Sequence, residues 1–282
     1  MSDAFDKNVV AGFGDEWKRF DQAGRTEADL RHTFDAYFRT FPWSAVGPGS
    51  RGFDLGCGSG RWACFVAERC GHLTCIDPSS EALEVAQYNL KDARNVSFQQ
   101  AAAGELPYPD STFDFGYSLG VLHHTPDPAR SLRDAVRVLK PKSPFLVYVY
   151  YALDNRPPWF RLIWRGSNAL RLGISRLPHR PRYLVSQVLA AIVYLPLARL
   201  ALLVEKLKLN PERVPLAGYR NKPFYVMRTD ALDRFGTRIE HRFTRAALLD
   251  WMDQAGLENV RVGNSAPFWC ATGLKRSPLR QT

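Results

Sequence analysis

Between residues 50 and 151 the chain alternates short apolar runs with amphipathic stretches. Runs near 52–55, 73–77, 96–99, 113–118 and 145–151 predict strands, and stretches near 60–70, 80–92 and 129–139 predict helices. Strand–helix alternation of this kind yields a parallel sheet with helices on both faces. Upstream, Leu30, Phe34, Tyr37 and Phe41 recur at helical spacing behind a capping-box-like start, Thr26-Glu27-Ala28-Asp29. Trp17 and Phe20 belong to a separate short element. Near the other end, Thr244 is a good N-cap for a helix over Arg245–Ala255 and Gly256 a good residue to stop it. Strands near 258–264 and 268–274 follow. The pattern divides the chain into an N-terminal helical segment (1–45), an α/β core (46–151), an insertion (152–243) and a C-terminal completion of the sheet (244–282). Connections in such folds are usually about 2–6 residues, so the long insertion is expected to carry function.

Composition changes this picture at one place. The net charge is +10, but residues 151–250 hold 18 Lys+Arg against 7 Asp+Glu, a difference of +11, and the remainder holds 20 against 21, hence −1. A basic segment of this kind could meet nucleic acid, anionic lipid or an acidic small molecule. Within it, Tyr183–Val204 is apolar and long enough to span a bilayer. Pro196, Arg199, Ser186 and Gln187 argue against a span. Cap helices, a subunit interface that would make a homodimer, or a membrane-surface element remain, and the flanking Arg176, Arg180, Arg182, Lys206 and Lys208 suit the last. Five cysteines without a C-x-x-C pair predict reduced thiols and no metal site. The acidic start Met1-Ser2-Asp3 lacks an apolar signal region, so a cytoplasmic protein is expected, with peripheral membrane contact as the variant that the basic segment suggests.

The chemistry sits in Asp54-Leu55-Gly56-Cys57-Gly58-Ser59-Gly60, where an apolar strand ends in an acid followed by alternating glycines. Glycines let a backbone turn tightly and approach a ligand closely, which makes this strand-to-helix turn a nucleotide-binding device. The spacing Gly-x-Gly-x-Gly departs from the dinucleotide fingerprint, and the preceding acid would repel a pyrophosphate but welcome an ammonium or sulfonium. Four further stretches follow in order: Leu73-Thr74-Cys75-Ile76-Asp77, Glu105 to Asp114 around Leu106-Pro107-Tyr108-Pro109-Asp110, Ser118-Leu119-Gly120-Val121-Leu122-His123-His124, and Arg137-Val138-Leu139-Lys140-Pro141. Together these resemble the motifs of the class I S-adenosylmethionine (SAM) dependent methyltransferases that act on small molecules.

That resemblance implies a Rossmann-like, seven-stranded, mostly parallel sheet with helices on both faces, an N-terminal helical lid and a helical cap inserted after strand five. It implies SAM as cofactor and S-adenosylhomocysteine as product. Gly56, Cys57, Gly58 and Gly60 would lie against the methionine part with Asp54 near its ammonium. Asp77, with Pro78, would hold the ribose, Ala103 and Gly104 the adenine with Glu105 nearby, and Ser118 and Leu119 would face the sulfonium. Two departures stand out. Ala101-Ala102-Ala103 replaces the usual Gly-Asp-Ala, removing a carboxylate that reads adenine, and Lys142-Ser143-Pro144 replaces a Gly-Gly turn.

His123 and His124, just past the fourth strand, are the candidates for a base that takes the proton of an acceptor hydroxyl. A histidine there could equally pack or cap a helix. Trp17, Tyr219, Arg220, Arg228 and Glu240, with Arg242, are candidates to line the acceptor pocket. The reading is methyl transfer to oxygen or carbon of a small, hydrophobic or lipid-like acceptor. An RNA or protein methyltransferase using the basic insertion, or a SAM-binding scaffold, are the alternatives; no recognisable RNA-binding module is present.

Overall fold

The computed structural model describes residues 27–278, so the element containing Trp17 and Phe20 lies outside the described residues. Seven strands form one sheet: β1 (Arg51–Leu55), β2 (His72–Asp77), β3 (Val96–Gln100), β4 (Phe115–Leu119), β5 (Pro144–Tyr148), β6 (Leu257–Val262) and β7 (Cys270–Lys275). Their order is β3-β2-β1-β4-β5-β7-β6. β1 to β5 are parallel, whereas β7 is antiparallel to both β5 and β6. The central strands are covered on both faces, as their continuous apolar runs require; all of β4 is buried. The strand order reverses between β1 and β4, and open α/β sheets bind ligands at the carboxyl ends beside such a switch.

Helices α1 (Glu27–Tyr37), α2 (Ala63–Ala67), α3 (Ser80–Asn89) and α4 (Pro128–Arg137) belong to the sheet unit. Two of them start on side-chain caps. The Ser79 Oγ accepts from the Ala82 amide (3.2 Å) and an Asp127 carboxylate oxygen from the Arg130 amide (2.9 Å), each contributing about 1 kcal/mol. α2 is shorter than the 60–70 expected, because Gly60 still stands at φ +73° and the chain must leave the glycine turn before it can coil. β4 begins at Phe115 rather than 113, and Phe113 makes only an isolated bridge to Leu139. β5 ends at Tyr148, beyond which Tyr151 bridges Phe243.

The two faces of the sheet carry separate cores. One gathers Phe53, Phe113, Phe145, Leu132 and Trp251; the other gathers Phe34, Phe38, Phe65, Tyr117 and Leu146. α1, expected as a lid, is packed into the second core over its described residues. Phe34 stacks on Phe38 at 4.3 Å, and Phe38 meets Tyr117 edge-on at 5.1 Å.

After β5 the chain forms a second compact unit, Asn155–Arg238. It holds α5 (Pro158–Ile174), α6 (His179–Leu189), a π-turn (Ala190–Tyr194), α7 (Leu195–Lys206) and α8 (Phe224–Gly236). Its small core comprises Ala190, Tyr194, Ala198, Met227, Ala231 and Phe235. Buried Arg171 donates to the Thr237 carbonyl (2.8 Å), tying α5 to the end of α8. Residues 239–243 return to the sheet unit: the Phe243 amide donates to the Tyr150 carbonyl (2.9 Å) and the Ala152 amide to the Phe243 carbonyl (2.8 Å). α9 (Arg245–Gln254) follows, with the Thr244 hydroxyl accepting from the Ala247 amide at 3.1 Å.

β1 and β4 interlock through glycine and phenylalanine. Gly52 pairs with Phe115 and Phe53 with Gly116, so each ring occupies the space a Cβ would need on the neighbouring strand. Gly116→Val should therefore overpack the centre of the sheet. We expect a loss of roughly 3 kcal/mol, the upper end of such substitutions, seen as a lower denaturation midpoint.

Candidate functional site

The glycine turn after β1 is fastened to the end of β2. The Gly56 and Cys57 amides both donate to the Ile76 carbonyl, at 2.7 and 3.1 Å. Gly56, Gly58 and Gly60 stand at φ +77°, +53° and +73°, a region that side chains rarely enter. At Gly56 a Cβ would also collide with Val121, and at Gly60 it would approach the Leu90 side chain to 2.8 Å. The turn therefore tolerates only glycine at both ends, and between them it presents bare backbone. Ser118 contributes from below: its hydroxyl donates to the Leu55 carbonyl (2.9 Å), locking the tip of β4 to that of β1.

Two acids stand at neighbouring strand tips. Asp54 is buried, its carboxylate accepts from the Tyr117 hydroxyl (2.9 Å), and burial pushes its pKa up to about 7. Asp77 is buried too, and desolvation raises it to about 6 even though the Gly58 amide (3.0 Å) and the Ser79 amide (2.9 Å) donate to its two oxygens. A carboxylate offers about four lone-pair sites, so each Asp77 oxygen retains one for a ligand diol. A buried carboxyl poised near neutrality favours a ligand that brings its own positive charge. The bare backbone, the diol-competent acid and the acid that calls for a cation fit the ribose and the charged amino-acid part of the expected cofactor. Cys57 lies in the turn with its thiol against that of Cys75; that contact and burial hold it well above the ordinary thiol range.

The adenine end is differently built. Gly104 stands at φ +97°. The Ala103 carbonyl accepts from Ser131 (3.3 Å), and Glu105 pairs with Arg130 (2.9 Å) at the surface, which turns its carboxylate to that partner. Ala102 and Ala103 are buried, so an apolar wall stands where many relatives place an acid. Leu119 is buried, and Pro78 contributes its carbonyl to a bond from Gln100 (3.0 Å).

Past β4, the turn Leu122–His124 brings His123 and His124 beside Tyr150. The two imidazoles lie 4.0 Å apart, and the His123 ring lies 4.0 Å from the Tyr150 ring, tilted by 34°. The two histidines differ in role. His124 Nδ1 lies 2.7 Å from the Ile239 carbonyl; a carbonyl only accepts, so Nδ1 carries the proton and His124 pins the returning segment. His123 is fully buried, and neither ring nitrogen has a hydrogen-bond partner. Burial first, then the neighbouring His124, Arg242 and His241, push its pKa well below the ordinary value, so the ring is neutral. Arg242 lies over the Tyr150 ring (5.2 Å), donates to the Tyr151 carbonyl (3.0 Å) and pairs with buried Glu240 at 2.7 Å.

The other acceptor candidates serve the insert itself. The Tyr219 hydroxyl donates to Asp230 (2.8 Å), Arg220 pairs with Glu205 (2.9 Å) and Glu212 (3.4 Å), and Arg228 donates to the Tyr183 hydroxyl (2.9 Å). Tyr117, Tyr148 and Tyr150 did not emerge from the sequence as site residues. The period-two spacing of Tyr148 and Tyr150 along the fifth strand was the available signal.

The raised Asp54 has a measurable cost. Its folded pKa of about 7 lies above the ordinary 3.8, so its contribution to stability is fully present below about pH 4 and lost as pH rises through 7. Asp54→Asn should match wild type near pH 3.5 and melt several degrees higher near pH 8, as a pair of thermal-denaturation series will show.

Residues 53–147 match the family described as "Methyltransferase domain". A demethylmenaquinone methyltransferase of Listeria welshimeri is 35% identical over 120 residues, covering 40% of this chain and 50% of the relative. The ubiquinone/menaquinone biosynthesis C-methyltransferase of Vibrio vulnificus is 36% identical over 115 residues, covering 38% and 44%. The chain thus spans about half the length of the curated relatives it matches. Among solved structures, a SAM-dependent methyltransferase of Thermotoga maritima superposes with a TM-score of 0.51 at 16% identity, over 93% of this chain and 100% of that one, which shows the shared fold. Residues 53–147, which carry the glycine turn and the paired strand-tip acids, thus match a methyltransferase domain, and the fold around them is that of a SAM-dependent methyltransferase.

Proposed function

We propose that the protein transfers the methyl group of SAM to an oxygen or carbon of a small, hydrophobic, lipid-like acceptor that carries a ring hydroxyl. The observation that carries this is His123: a buried, neutral imidazole with two unpartnered ring nitrogens, stacked beside Tyr150 at the carboxyl edge of the sheet. A buried polar ring without partners costs stability unless a ligand supplies them. A phenol or hydroquinone does so, giving its proton to one ring nitrogen and its flat face to the Tyr150 wall. The names of the curated relatives, which act on menaquinone and ubiquinone precursors, support an acceptor of this class.

SAM, when bound, supplies an electrophilic methyl on a positively charged sulfur and leaves as a neutral thioether. The protein's part is to position and deprotonate. Proton loss from the ring hydroxyl to His123 places the negative charge on oxygen and, by conjugation, on the adjacent ring carbon. Either atom can then take the methyl; in carbon transfer the ring proton leaves to solvent and His123 returns its proton to the oxygen, restoring the hydroxyl. Asp54 and Asp77 hold the cofactor. The basic insert keeps open an RNA acceptor, but apart from Trp159 its exposed large apolar side chains are aliphatic, not a series of aromatic platforms on which successive bases stack. A hydrophobic acceptor of quinone type resides in membrane, so a cytoplasmic enzyme that touches the bilayer peripherally is the form this activity would take.

Calorimetry with SAM and turnover of a demethylated naphthoquinol test the proposal. Asp77→Ala should weaken SAM binding. His123→Ala should keep SAM affinity and lose about 10²-fold or more in turnover, the size of a lost general base; unchanged turnover would remove His123 from the mechanism. SAM binding without transfer to any quinol or phenol would favour the scaffold reading.

A second expectation concerns pH. Asp54 and Asp77 ionise at about 7 and about 6; only the charged form of Asp54 attracts the cofactor's ammonium, and only that of Asp77 accepts from both ribose hydroxyls. The dissociation constant for SAM should therefore rise as pH falls from 8 to 5. Asp54→Asn should flatten the upper part of that dependence.

A further inference from the structure

Among the described residues every large apolar side chain that stands exposed, Tyr88 apart, belongs to the insert. On α5, Trp159, Leu162, Ile163 and Leu170 share one helix face by their spacing and are between 47% and 67% exposed. Along α6, the π-turn and α7, Leu184, Val188 and Ile192, then Leu200, Leu203 and Leu207, repeat the pattern at between 46% and 65% exposure. Patches of this extent on a soluble chain mark an interaction surface.

Charge identifies what covers it. Residues 155–238 hold 16 Lys+Arg against 4 Asp+Glu. Arg161 and Arg165, both exposed, edge the α5 stripe, and exposed Arg180, Arg199, Lys206 and Lys208 accompany the second. An apolar face bordered by cations, with a tryptophan at its end, complements the boundary between acyl chains and anionic headgroups. The helical run His179–Lys206 is 28 residues and long and apolar enough to cross a membrane. Its other face is already committed, however. Ala190, Tyr194 and Ala198 are buried against Met227, Ala231 and Phe235, and buried Arg182 donates to the Gly236 carbonyl at 3.2 Å. A span would strip these contacts and carry Arg199 into hydrocarbon, both of which oppose crossing.

We infer that the exposed faces of α5 and of the α6–α7 run form a peripheral docking surface for an anionic lipid bilayer. The inference deepens the reading of a lipid-like acceptor and rests on it for its purpose. Its test requires neither SAM nor acceptor, so failure of docking leaves methyl transfer to a water-soluble quinol standing, and the reverse.

The experiment is co-sedimentation of the full chain with phosphatidylcholine vesicles, with and without phosphatidylglycerol. Wild type should pellet with the anionic vesicles and partition less as salt rises. The double substitution Ile163→Glu, Leu170→Glu should reduce partition about tenfold or more while leaving the circular-dichroism spectrum and melting temperature near wild type, since both side chains are already in water. Tyr88→Glu, on the sheet unit, should partition as wild type does. Wild type that stays in the supernatant, or a double variant that pellets undiminished, overturns the proposal. So does protein that only a detergent, and not high salt or alkaline carbonate, releases, because that denotes a span. A double variant that turns a dimer into a monomer by light scattering, with vesicle partition unchanged, assigns the face to a second copy and overturns it equally.

Discussion

The Ile76 carbonyl accepts from two successive amides, Gly56 at 2.7 Å and Cys57 at 3.1 Å, and the geometry of the carboxyl edge descends from that shared acceptor. Because two amides of the turn converge on one oxygen, the chain must bend sharply, and the left-handed conformations of Gly56, Gly58 and Gly60 follow. The same bend brings the Gly58 amide to Asp77, so one acid both closes the turn and offers itself to a ligand. Val121 then packs where a Gly56 side chain would have stood, which carries the end of β4, and with it the two histidines, to the rim of the turn. Glycine turn and buried imidazole are thus placed by one strand-to-strand fastening.

Much of this was legible in the residues because it is local. A strand tip, a glycine turn and an acid are neighbours in sequence as well as in space, and caps such as Ser79 and Thr244 act within a few residues. What could not be read was nonlocal. The bond from His124 to Ile239 spans 115 positions, and no periodicity announces it. The similarity of His123 and His124 as letters concealed their separation into one ring that pins the returning segment and one whose nitrogens have no hydrogen-bond partner. The same limit applied to Arg220 and Arg228: arginines among aromatics suggested a pocket, while the folded insert pairs them with glutamates and with Tyr183. The short α2 was hidden because helix propensity is a weaker constraint than the positive φ of Gly60.

The placement of polar groups also separates two kinds of cost. Asp54, Asp77 and His123 are buried groups whose charged forms the protein disfavours, and they cluster at the carboxyl edge of the sheet. Elsewhere, buried cations are satisfied: Arg171 reaches the Thr237 carbonyl and Arg182 the Gly236 carbonyl. Three such costs therefore meet at an edge where a ligand can relieve them.

The strap at residues 239–243 has a further meaning. Tyr151 bridges Phe243, the Ala152 amide donates to the Phe243 carbonyl, and the Arg245 amide donates to Asp154 at 3.0 Å. The chain therefore departs from the sheet unit and rejoins it at adjacent points, like a loop of rope passed through a single clasp. Whatever lies beyond the clasp can vary in length and surface without shifting a strand. The insert is thus a cartridge on that clasp, exchangeable while the glycine turn and the strand-tip acids stay as they are.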